Sequence, residues 1–359
     1  VHWQRREFAE AAAKFQHQLS IVDALAVIEP DNAERLSHSG YAWTNYGRVL
    51  ELDGQYEEAL KAYESVMNIF QRLERLRPDD QDSLLEVGFA HNNLGKLKMS
   101  FGLLAQAEHH FHEDVAIKQR VLEVHPNHNL WRNYLAASHF WLGRLLNSRG
   151  ALAESSEQGE AALNILNALI DSDPEMTPWR SRRAQVQNLL AANCRLQQKA
   201  ECAASHISTA LADLDQLTSA NPENAQWQLD LSTCRLEAAW QAAIAGQTAF
   251  AMALTESVME STRPTEVGEL DDKEAIKLFI TAMLTRGDIA TKTNQPGVAR
   301  EAWQTALKTL ENYFPVSHDP EVIDISAKLL TRLGRIKMAE DAENMLARID
   351  FHSPYPQIQ

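Results

Sequence analysis

The residues most suited to metal chemistry lie in one short stretch, "AEHHFHED" at positions 107–114. His109 and His112 are three residues apart, so on a helix their imidazole rings share a face and could bind one metal ion. A zinc site needs further ligands at a defined spacing, and none is evident in the sequence. Phe111, between the two histidines, stands at a packing position. The sequence therefore predicts no metal site, although a metal or small-molecule sensor is a hypothesis that rests on this cluster alone.

Motifs that carry catalysis or bind nucleotides do not occur in the sequence. It contains no glycine-rich dinucleotide or phosphate loop, no GxSxG, no HExxH and no zinc-type cysteine pair. No nucleophile stands at a spacing that pairs it with a general base. We therefore predict that this chain is not an enzyme, has no catalytic residues and takes no cofactor.

The three cysteines, Cys194, Cys202 and Cys234, form no CxxC motif and fall within helical patterns. A cysteine in such a position behaves as a small apolar side chain, and unpaired thiols are typical of reducing compartments. We therefore expect three reduced thiols in a cytoplasmic protein.

The charge balance is acidic, with 34 Lys and Arg against 49 Asp and Glu and a formal net charge of −15. A negative surface repels nucleic acids and anionic membranes, so neither is expected as a partner. The basic stretch "RSRRAQ" at 180–185 is expected to balance nearby acidic residues rather than to bind phosphate. No run of about 18 apolar residues occurs, so no membrane insertion is predicted.

The elements that must position these residues repeat with a constant period of 48 residues. The prolines in this register are Pro30, Pro78, Pro126, Pro174 and Pro222. One glycine column holds Gly47, Gly95, Gly143 and Gly287, and a second holds Gly54, Gly102, Gly150 and Gly246. An alanine column in the same register holds Ala59, Ala107, Ala203, Ala251 and Ala299. Repeats of this length indicate a solenoid or a similar repeat architecture.

Each repeat contains two helical segments. A proline followed by Asp, Asn or Glu marks a helix start, and the second glycine column ends that helix. A second helical segment then runs to the next proline, and no strand-like alternation occurs. Because one helical hairpin cannot bury its apolar face alone, neighbouring hairpins must stack. The predicted fold is therefore all-α, an α-solenoid of tandem antiparallel helix pairs.

The repeat resembles the tetratricopeptide repeat, whose pattern is W-x2-L-G-x2-Y, then A-x3-F, then P. The chain has "WTNYGRVL" and "DGQYEEALKAY" within 43–63, and "HNNLGKLK" and "FGLLAQAEHHF" within 91–111. As in that family, a glycine and an alanine are 12 residues apart, here Gly47 and Ala59. The resemblance covers nearly the whole chain and is strongest in the first two repeats. It implies a right-handed superhelix of helix pairs.

The chain departs from the family in the length of its repeat, which is 48 residues here and about 34 in the family. The additional residues divide evenly between the two helices, which adds about two turns to each. We therefore predict longer helices around an unchanged junction. At that junction Gly47 and Ala59 allow a close helix crossing, Tyr63 fills the space beside them, and Gly54 ends the first helix.

The register also gives the expected boundaries within a single solenoid over residues 1–359. Residues 1–29 match the second helix of a truncated repeat, and residues 318–359 form a short hairpin and a non-helical, proline-punctuated tail. The full repeats are expected at about 30–77, 78–125, 126–173, 174–221, 222–269 and 270–317. An uncapped edge exposes apolar surface, so we expect the N-terminal part of a longer parent protein to be missing. The resemblance implies the C-terminal interaction or sensor region of a bacterial signalling protein, for example one with a kinase domain.

The resemblance further implies a concave groove, lined by the first helix of each pair, that binds a peptide or another protein. A basic column recurs on this helix at Arg48, Lys96 and Arg144. Amides and aromatic residues precede it by one or two turns, at Tyr41, Asn45, Phe89, Asn93 and Trp141. Such a row suits an acidic or C-terminal peptide. We therefore predict a non-catalytic protein- or peptide-binding scaffold with these eight residues in its groove.

An alternative hypothesis makes the solenoid a structural or regulatory element. In that case it docks on its own N-terminal effector domain, for example a kinase, or it self-associates with a second copy. The open helical edge at residues 4–29 supports this alternative.

Overall fold

The structure, a computed structural model, describes residues 8–264, 273–356 and 358. Residues 1–7 of the expected truncated repeat, 265–269 of the expected fifth full repeat, 270–272 of the sixth, and 357 and 359 of the expected tail lie outside these ranges. The described residues form fifteen α-helices and no β-strand, which confirms the predicted all-α solenoid of tandem helix pairs. Helices α1 to α15 are Phe8–Ile28, Ala33–Asp53, Tyr56–Leu76, Gln81–Ser100, Leu104–Val124, Asn129–Ser148, Leu152–Ser172, Thr177–Leu196, Ala200–Ala220, Ala225–Ile244, Thr248–Ser261, Lys273–Lys292, Pro296–Tyr313, Pro320–Arg332 and Ile336–Arg348.

The helices are long, as the period of the sequence predicts. Helices α2 to α10 each contain 20 or 21 residues, so each is about 30 Å long. The even-numbered helices from α2 onward are the first helices of the pairs. Six of them, α2, α4, α8, α10, α12 and α14, pack along the odd-numbered helix that follows, and α6 accepts a hydrogen bond at Gly143 from Ser155 of α7. None of the described helices combines such length with the apolar composition that a bilayer-spanning helix needs.

The second glycine column ends the first helices, as predicted. Gly54 has a φ of 81° and its N–H donates to the carbonyl oxygens of Glu51 and Leu50. A positive φ is least costly for glycine, which explains the composition of this column. Where the column lacks glycine, Gln198 and Asn294 adopt the same left-handed conformation, with φ of 60° and 57°. The backbone therefore keeps the hairpin junction even where the sequence has diverged.

The first glycine column allows the two helices of a pair to cross closely. A Cβ atom on Gly47 would lie 2.8 Å from Cε1 of Tyr63, and one on Gly95 would lie 2.7 Å from Cε1 of Phe111. Both rings are almost completely buried. The predicted packing role of these residues is therefore confirmed.

The contacts divide the chain into two compact units, unit 1 at Val1–Trp141 and unit 2 at Leu142–Gln359, with the boundary inside α6. Unit 1 has a core that includes Tyr63, Phe70 and Leu97. Unit 2 contains several clusters, one of which joins Ile276, Leu284 and Leu329 to Tyr355 near the end of the chain.

The prediction of three reduced cysteines is wrong for two of them. Cys194 near the end of α8 and Cys202 near the start of α9 form a disulfide bond, whereas Cys234 is a buried free thiol. The two cysteines are eight residues apart, so they form no CxxC motif that would indicate the pairing in the sequence. The turn at Gln198 folds α9 back on α8 and brings the two Cα atoms within 5.8 Å, a distance that a disulfide can bridge. The pairing removes the basis on which a cytoplasmic location was expected.

Candidate functional site

Unit 1 has an open cleft between α2 and α4, with a volume of about 450 Å³. Its lining includes Tyr41 of α2, Phe70 of α3, and Glu86, Phe89, Asn93 and Lys96 of α4. Four of the eight predicted groove residues are therefore brought together here. Because α2 and α4 are the first helices of consecutive pairs, the cleft lies on the face where the family resemblance places a groove.

Tyr41 links the two first helices across the cleft. Its hydroxyl donates a 2.7 Å hydrogen bond to Oε1 of Glu86, and its ring meets Phe70 edge-on with centroids 5.8 Å apart. Burial raises the pKa of the Glu86 carboxyl above its ordinary value, and the charge of Asp82 raises it further, while the hydrogen bond from Tyr41 opposes both. One side of the cleft therefore carries the Glu86 carboxyl, which has a raised pKa and accepts a hydrogen bond from Tyr41.

Phe89 forms an aromatic wall that is supported by a buried ion pair. The Nζ atom of Lys118 lies 4.9 Å from the centroid of the Phe89 ring and 2.6 Å from Oδ1 of Asp114. Lys118 also donates to Oγ of Ser138, and Asn92 donates to Oδ2 of Asp114. These contacts join α4, α5 and α6 behind the cleft and fix the wall.

Lys96 stands over an aromatic face. Its Nζ atom lies 4.4 Å from the centroid of the Trp141 ring, a cation–π contact. Trp141 in turn stacks on Phe111, with ring planes 14° apart. Trp141 and Lys96, both among the eight predicted groove residues, are therefore in contact, and the Trp141 ring positions the Lys96 ammonium group.

The other three predicted groove residues are placed differently. Asn45 and Arg48 are exposed on α2 outside the lining of the cleft, and Arg48 pairs with Glu51 at 3.0 Å. Arg144 belongs to unit 2, where it pairs with Glu321 at 3.2 Å. A groove that uses all eight residues stays a prediction.

The histidine stretch forms a hydrogen-bonded cluster. Nδ1 of His110 lies 3.0 Å from Nδ1 of His91, so one ring donates and the other accepts. Burial, together with the charges of Lys98 and His91, lowers the pKa of His110 to about 4. His112 instead points Nε2 toward Glu108, at 3.8 Å. Among the described residues, the His, Cys, Asp and Glu atoms that could share a metal belong to Cys194, Cys202 and His206, the first two already joined in the disulfide.

The basic stretch at 180–185 balances an acidic residue, as predicted. Arg183 forms two hydrogen bonds to Asp213, of 2.8 Å from Nε and 2.7 Å from Nη2, and Arg180 approaches the same carboxylate at 3.3 Å. These contacts tie α8 to α9.

Unit 2 holds a feature that sequence reasoning missed, the packing of residues 350–356 and 358, called here the C-terminal segment. This segment follows α15 and is not helical, as predicted, but it lies against the first helices α6, α8, α10, α12 and α14. The N–H of His352 donates to the carbonyl oxygen of Ser148 at 2.7 Å, and Nη2 of Arg195 donates to the carbonyl oxygen of Pro354 at 2.9 Å. The segment thus occupies the first-helix face of unit 2.

Tyr355 is the centre of these contacts and is only 7% exposed. Its hydroxyl lies 3.2 Å from Oδ2 of Asp288 and 3.3 Å from Oγ1 of Thr285. Its ring meets Trp240 edge-on at 5.4 Å, and the guanidinium carbon of Arg332 lies 5.7 Å from the ring centroid. The side chain is therefore enclosed by α10, α12 and α14.

The groups that hold the C-terminal segment are themselves paired. Arg195 forms a bidentate ion pair with Glu237, with distances of 2.7 and 3.0 Å, and both side chains are less than 5% exposed. Arg332 pairs in the same way with Asp288, at 2.5 and 2.6 Å. These pairs fix the orientation of the donors and acceptors that face the segment.

Two further residues of the C-terminal segment, Ser353 and Ile358, also contact unit 2. Oγ of Ser353 donates to Oδ2 of Asp324 at 2.7 Å, and Ile358 packs against the cluster that contains Ala243 and Ile289. The sequence did carry a signal, because a tyrosine between two prolines in "SPYPQ" favours an extended, low-entropy chain.

No family model matches the chain, and no curated protein sequence matches it. The crystal structure of BtubC (BKLC) from P. vanneervenii is similar, at 14% identity and a TM-score of 0.52, over 71% of this chain and 90% of that chain. A tetratricopeptide repeat protein from Parabacteroides merdae covers 91% of this chain and 98% of its own, at 14% identity and a TM-score of 0.45. A Rap protein complexed with competence and sporulation factor covers 94% and 98%, at 14% identity and a TM-score of 0.47.

The fold is a tetratricopeptide-like α-solenoid. In this solenoid the first helices of unit 1 present an open cleft, and those of unit 2 hold the C-terminal segment. Both surfaces combine aromatic walls with polar side chains of fixed orientation, which suits the binding of an extended chain.

Proposed function

We propose that the chain is a non-catalytic scaffold that binds proteins or peptides, with the unit 1 cleft as a ligand site. The observation that supports this proposal is the packing of the C-terminal segment in unit 2. There, first helices of the same solenoid hold a non-helical segment through a carbonyl contact, a hydroxyl contact and a buried ring. The unit 1 cleft offers the corresponding face with similar chemistry.

The lining of the cleft favours a peptide with an apolar side chain and an acidic group. Phe70 and Phe89 supply apolar walls, and the amide of Asn93 can both donate to and accept from a peptide backbone. Lys96, held over Trp141, can pair with a carboxylate at the edge of the cleft. An acidic or C-terminal peptide therefore fits this cleft best.

The wider role follows from the family resemblance, which supports the C-terminal interaction or sensor region of a larger bacterial signalling protein. The coding sequence upstream of Val1 tests that role directly, because a kinase or other effector domain is expected there. The Cys194–Cys202 disulfide does not favour the cytoplasmic location that this role suggests, because disulfides are rare in that compartment.

The binding site is tested by selecting peptides from a random phage-displayed library on the full chain. Fluorescence anisotropy then compares the wild-type chain with the double variant Tyr41→Ala, Lys96→Glu. We expect the selected peptides to lose at least about tenfold in affinity, since the variant removes the tyrosine that bridges the cleft and reverses the charge of its cation. The variant avoids Arg144, whose charge reversal would place a carboxylate beside Glu321.

The matched control is Arg120→Glu, which makes the same charge change at an exposed position on α5. We expect this control to change the affinity less than about twofold, because the residue lies outside the cleft. Equal affinity of the selected peptides for the wild type and the cleft variant would assign binding to another surface and overturn the proposal.

A second function, self-association or docking on an effector domain, is favoured by the surface of α1. Ile21, Leu25 and Ile28 lie on one face of this helix and are 50%, 38% and 72% exposed. Multi-angle light scattering over a wide concentration range tests self-association. An increase in mass that Ile28→Lys abolishes would support it, and a constant monomer mass would exclude it.

A further inference from the structure

We propose that the first-helix face of unit 2 is a second binding site, specific for an unphosphorylated tyrosine flanked by prolines. In this proposal the C-terminal segment is its resident ligand, which the same motif on another chain can replace. The proposal extends the proposed scaffold function to a different surface, so the two can fail separately.

The contacts of the segment are those of a bound peptide rather than of a folded element. The described residues of the segment form no helix or strand of their own, and side chains of separate helices bind three of its polar groups. Arg195 of α8 binds the carbonyl oxygen of Pro354, and Asp324 of α14 accepts from Ser353. Recognition of an extended chain by side chains from successive elements is typical of peptide-binding grooves.

The site also remains organised when the segment leaves. Three charged side chains that bind the segment also have a partner on the first helices, so their charges stay compensated. Arg195 keeps Glu237, Asp288 keeps Arg332, and Asp324 keeps Lys328. A preorganised site loses little free energy to reordering and can therefore rebind a ligand.

The chemistry of the pocket defines the ligand class. The Tyr355 hydroxyl meets Asp288 and Thr285, so a phenylalanine in its place leaves two polar groups without this partner. A phosphate on the Tyr355 or Ser353 hydroxyl would face the carboxylate of Asp288 or Asp324 and be repelled. Prolines on both sides limit the entropy that the ligand loses on binding.

The resident segment competes strongly because it is tethered. It begins at Asp350, two residues after the end of α15, so its effective concentration is on the order of 1 mM. For a free peptide that binds with a Kd of about 10 µM, the tethered copy would weaken apparent binding by about 100-fold. An exchange experiment therefore has to weaken the tethered copy first.

The experiment measures binding of a fluorescein-labelled synthetic peptide, "IDFHSPYPQIQ", to the full chain by fluorescence anisotropy. The full-length variant Tyr355→Ala keeps the site but loses the anchor of its own segment. We expect this variant to bind the peptide about 100-fold more tightly than the wild-type chain does. The same peptide with Tyr355→Ala is expected not to bind, and the phosphotyrosine peptide is expected to bind at least about tenfold more weakly.

A second variant keeps the experiment informative if Tyr355→Ala does not fold. Ser353→Glu places a carboxylate against Asp324 and so releases the segment without removing a buried ring. In the Tyr355→Ala chain, Thr285→Val is expected to reduce peptide affinity at least about tenfold, since it removes a partner of the tyrosine hydroxyl. Arg348→Ala in the same background is the control and is expected to leave the affinity unchanged.

The proposal is overturned if neither opened variant binds the peptide while its circular dichroism spectrum remains that of the wild type. It is also overturned if the wild-type chain and both opened variants bind the peptide equally. Peptides selected on the unit 1 cleft should bind all these variants alike, so a failure in unit 2 would leave the proposed function standing.

Discussion

Unit 1 and unit 2 are built from the same helix pairs, yet their first-helix faces differ. In unit 1 this face is an open cleft bridged by the hydrogen bond between Tyr41 and Glu86. In unit 2 the corresponding face is covered, with Tyr355 almost fully buried in it. The repeat therefore sets the shape of the first-helix face, and a segment outside the repeat determines whether that face is covered.

The two units also place a buried ion pair behind these faces in different ways. Asp114 and Lys118 of unit 1 lie on the same helix, and the pair supports the Phe89 wall without touching the open cleft side. Arg195 and Glu237 of unit 2 join two first helices, and Arg195 also binds the C-terminal segment. A change to the second pair should therefore affect both stability and the covering of the face.

The largest effect is expected from Arg195→Met in unit 2. The change leaves Glu237 buried without its counter-charge, which should lower the free energy of unfolding by about 3–5 kcal/mol. Hydrogen exchange measured by mass spectrometry should show faster exchange in α8, α10 and residues 350–358, with unit 1 unchanged.

The double variant Arg195→Met, Glu237→Leu is the control for this prediction. It removes both charges, so most of the lost stability should return even though the contact with Pro354 does not. A double variant as unstable as the single one would show that the ion pair is not the source of the effect.

The next effect concerns the helix crossing of unit 1. Gly47→Ala adds a methyl group 2.8 Å from the Tyr63 ring, and this overpacking should lower stability by about 1–3 kcal/mol. Gly297→Ala, near the start of α13 in unit 2, meets no atom within 4 Å and should change the melting temperature little or raise it. Similar melting temperatures for the two variants would contradict the close crossing.

The disulfide distinguishes unit 2 from unit 1, whose described residues contain no cysteine. Because it closes a loop of only eight residues, Cys202→Ser should lower the free energy of unfolding of unit 2 by about 2 kcal/mol. Urea denaturation with and without a reducing agent measures this. The reducing agent should destabilise the wild type and leave the variant unchanged.

The smallest expected effect is a difference between the two units in how their stability depends on acidic pH. His110 of unit 1 has a pKa lowered to about 4, so below pH 6.5 the unfolded chain takes up a proton that the folded chain does not. The free energy of unfolding is therefore unaffected by His110 above pH 6.5 and decreases as the pH falls to about 4. The decrease is about 1–2 kcal/mol after allowance for solvent screening. Thermal melting of His110→Gln should therefore depend less on pH in this window.

Glu321 of unit 2 is the contrasting case. The charge of Lys277, helped by that of Arg144, lowers its pKa to about 2 against the opposing effect of burial. Its contribution to the free energy of unfolding is complete above about pH 4.5 and is lost as the pH falls toward 2. Hydrogen exchange at pH 5 should therefore show unit 1 weakened by His110 while the contacts of Glu321 persist, and equal weakening would contradict this account.

Local features of the repeat could be predicted from the sequence. Gly47, Tyr63 and Gly54 are adjacent in one hairpin, so their period and residue types specify their contacts. The lengths of the helices follow from the same period. Even the left-handed turn at Gln198 occupies the register of the glycine column.

Contacts between distant parts of the chain could not be predicted in this way. The period does not show that Arg144 meets Glu321 or that Tyr355 meets Asp288, because these pairs depend on how successive helix pairs are rotated in unit 2. The Cys194–Cys202 bond was missed for a different reason, since a helical pattern alone does not show which side chains face each other across a turn. The cleft residues Tyr41 and Phe89 were found because they follow the register, whereas Glu86 and Phe70 carried no signal beyond packing.

The ion pair between Arg144 and Glu321 and the hydrogen bond from His352 to Ser148 have a consequence for biosynthesis. A solenoid usually has only local contacts and can fold as it is made, one repeat after another. These contacts instead join residues 177 positions apart in the first case and about 200 apart in the second. Unit 1 can therefore fold on the ribosome as it emerges, but unit 2 reaches its final structure only after residues 350–358 have been synthesised.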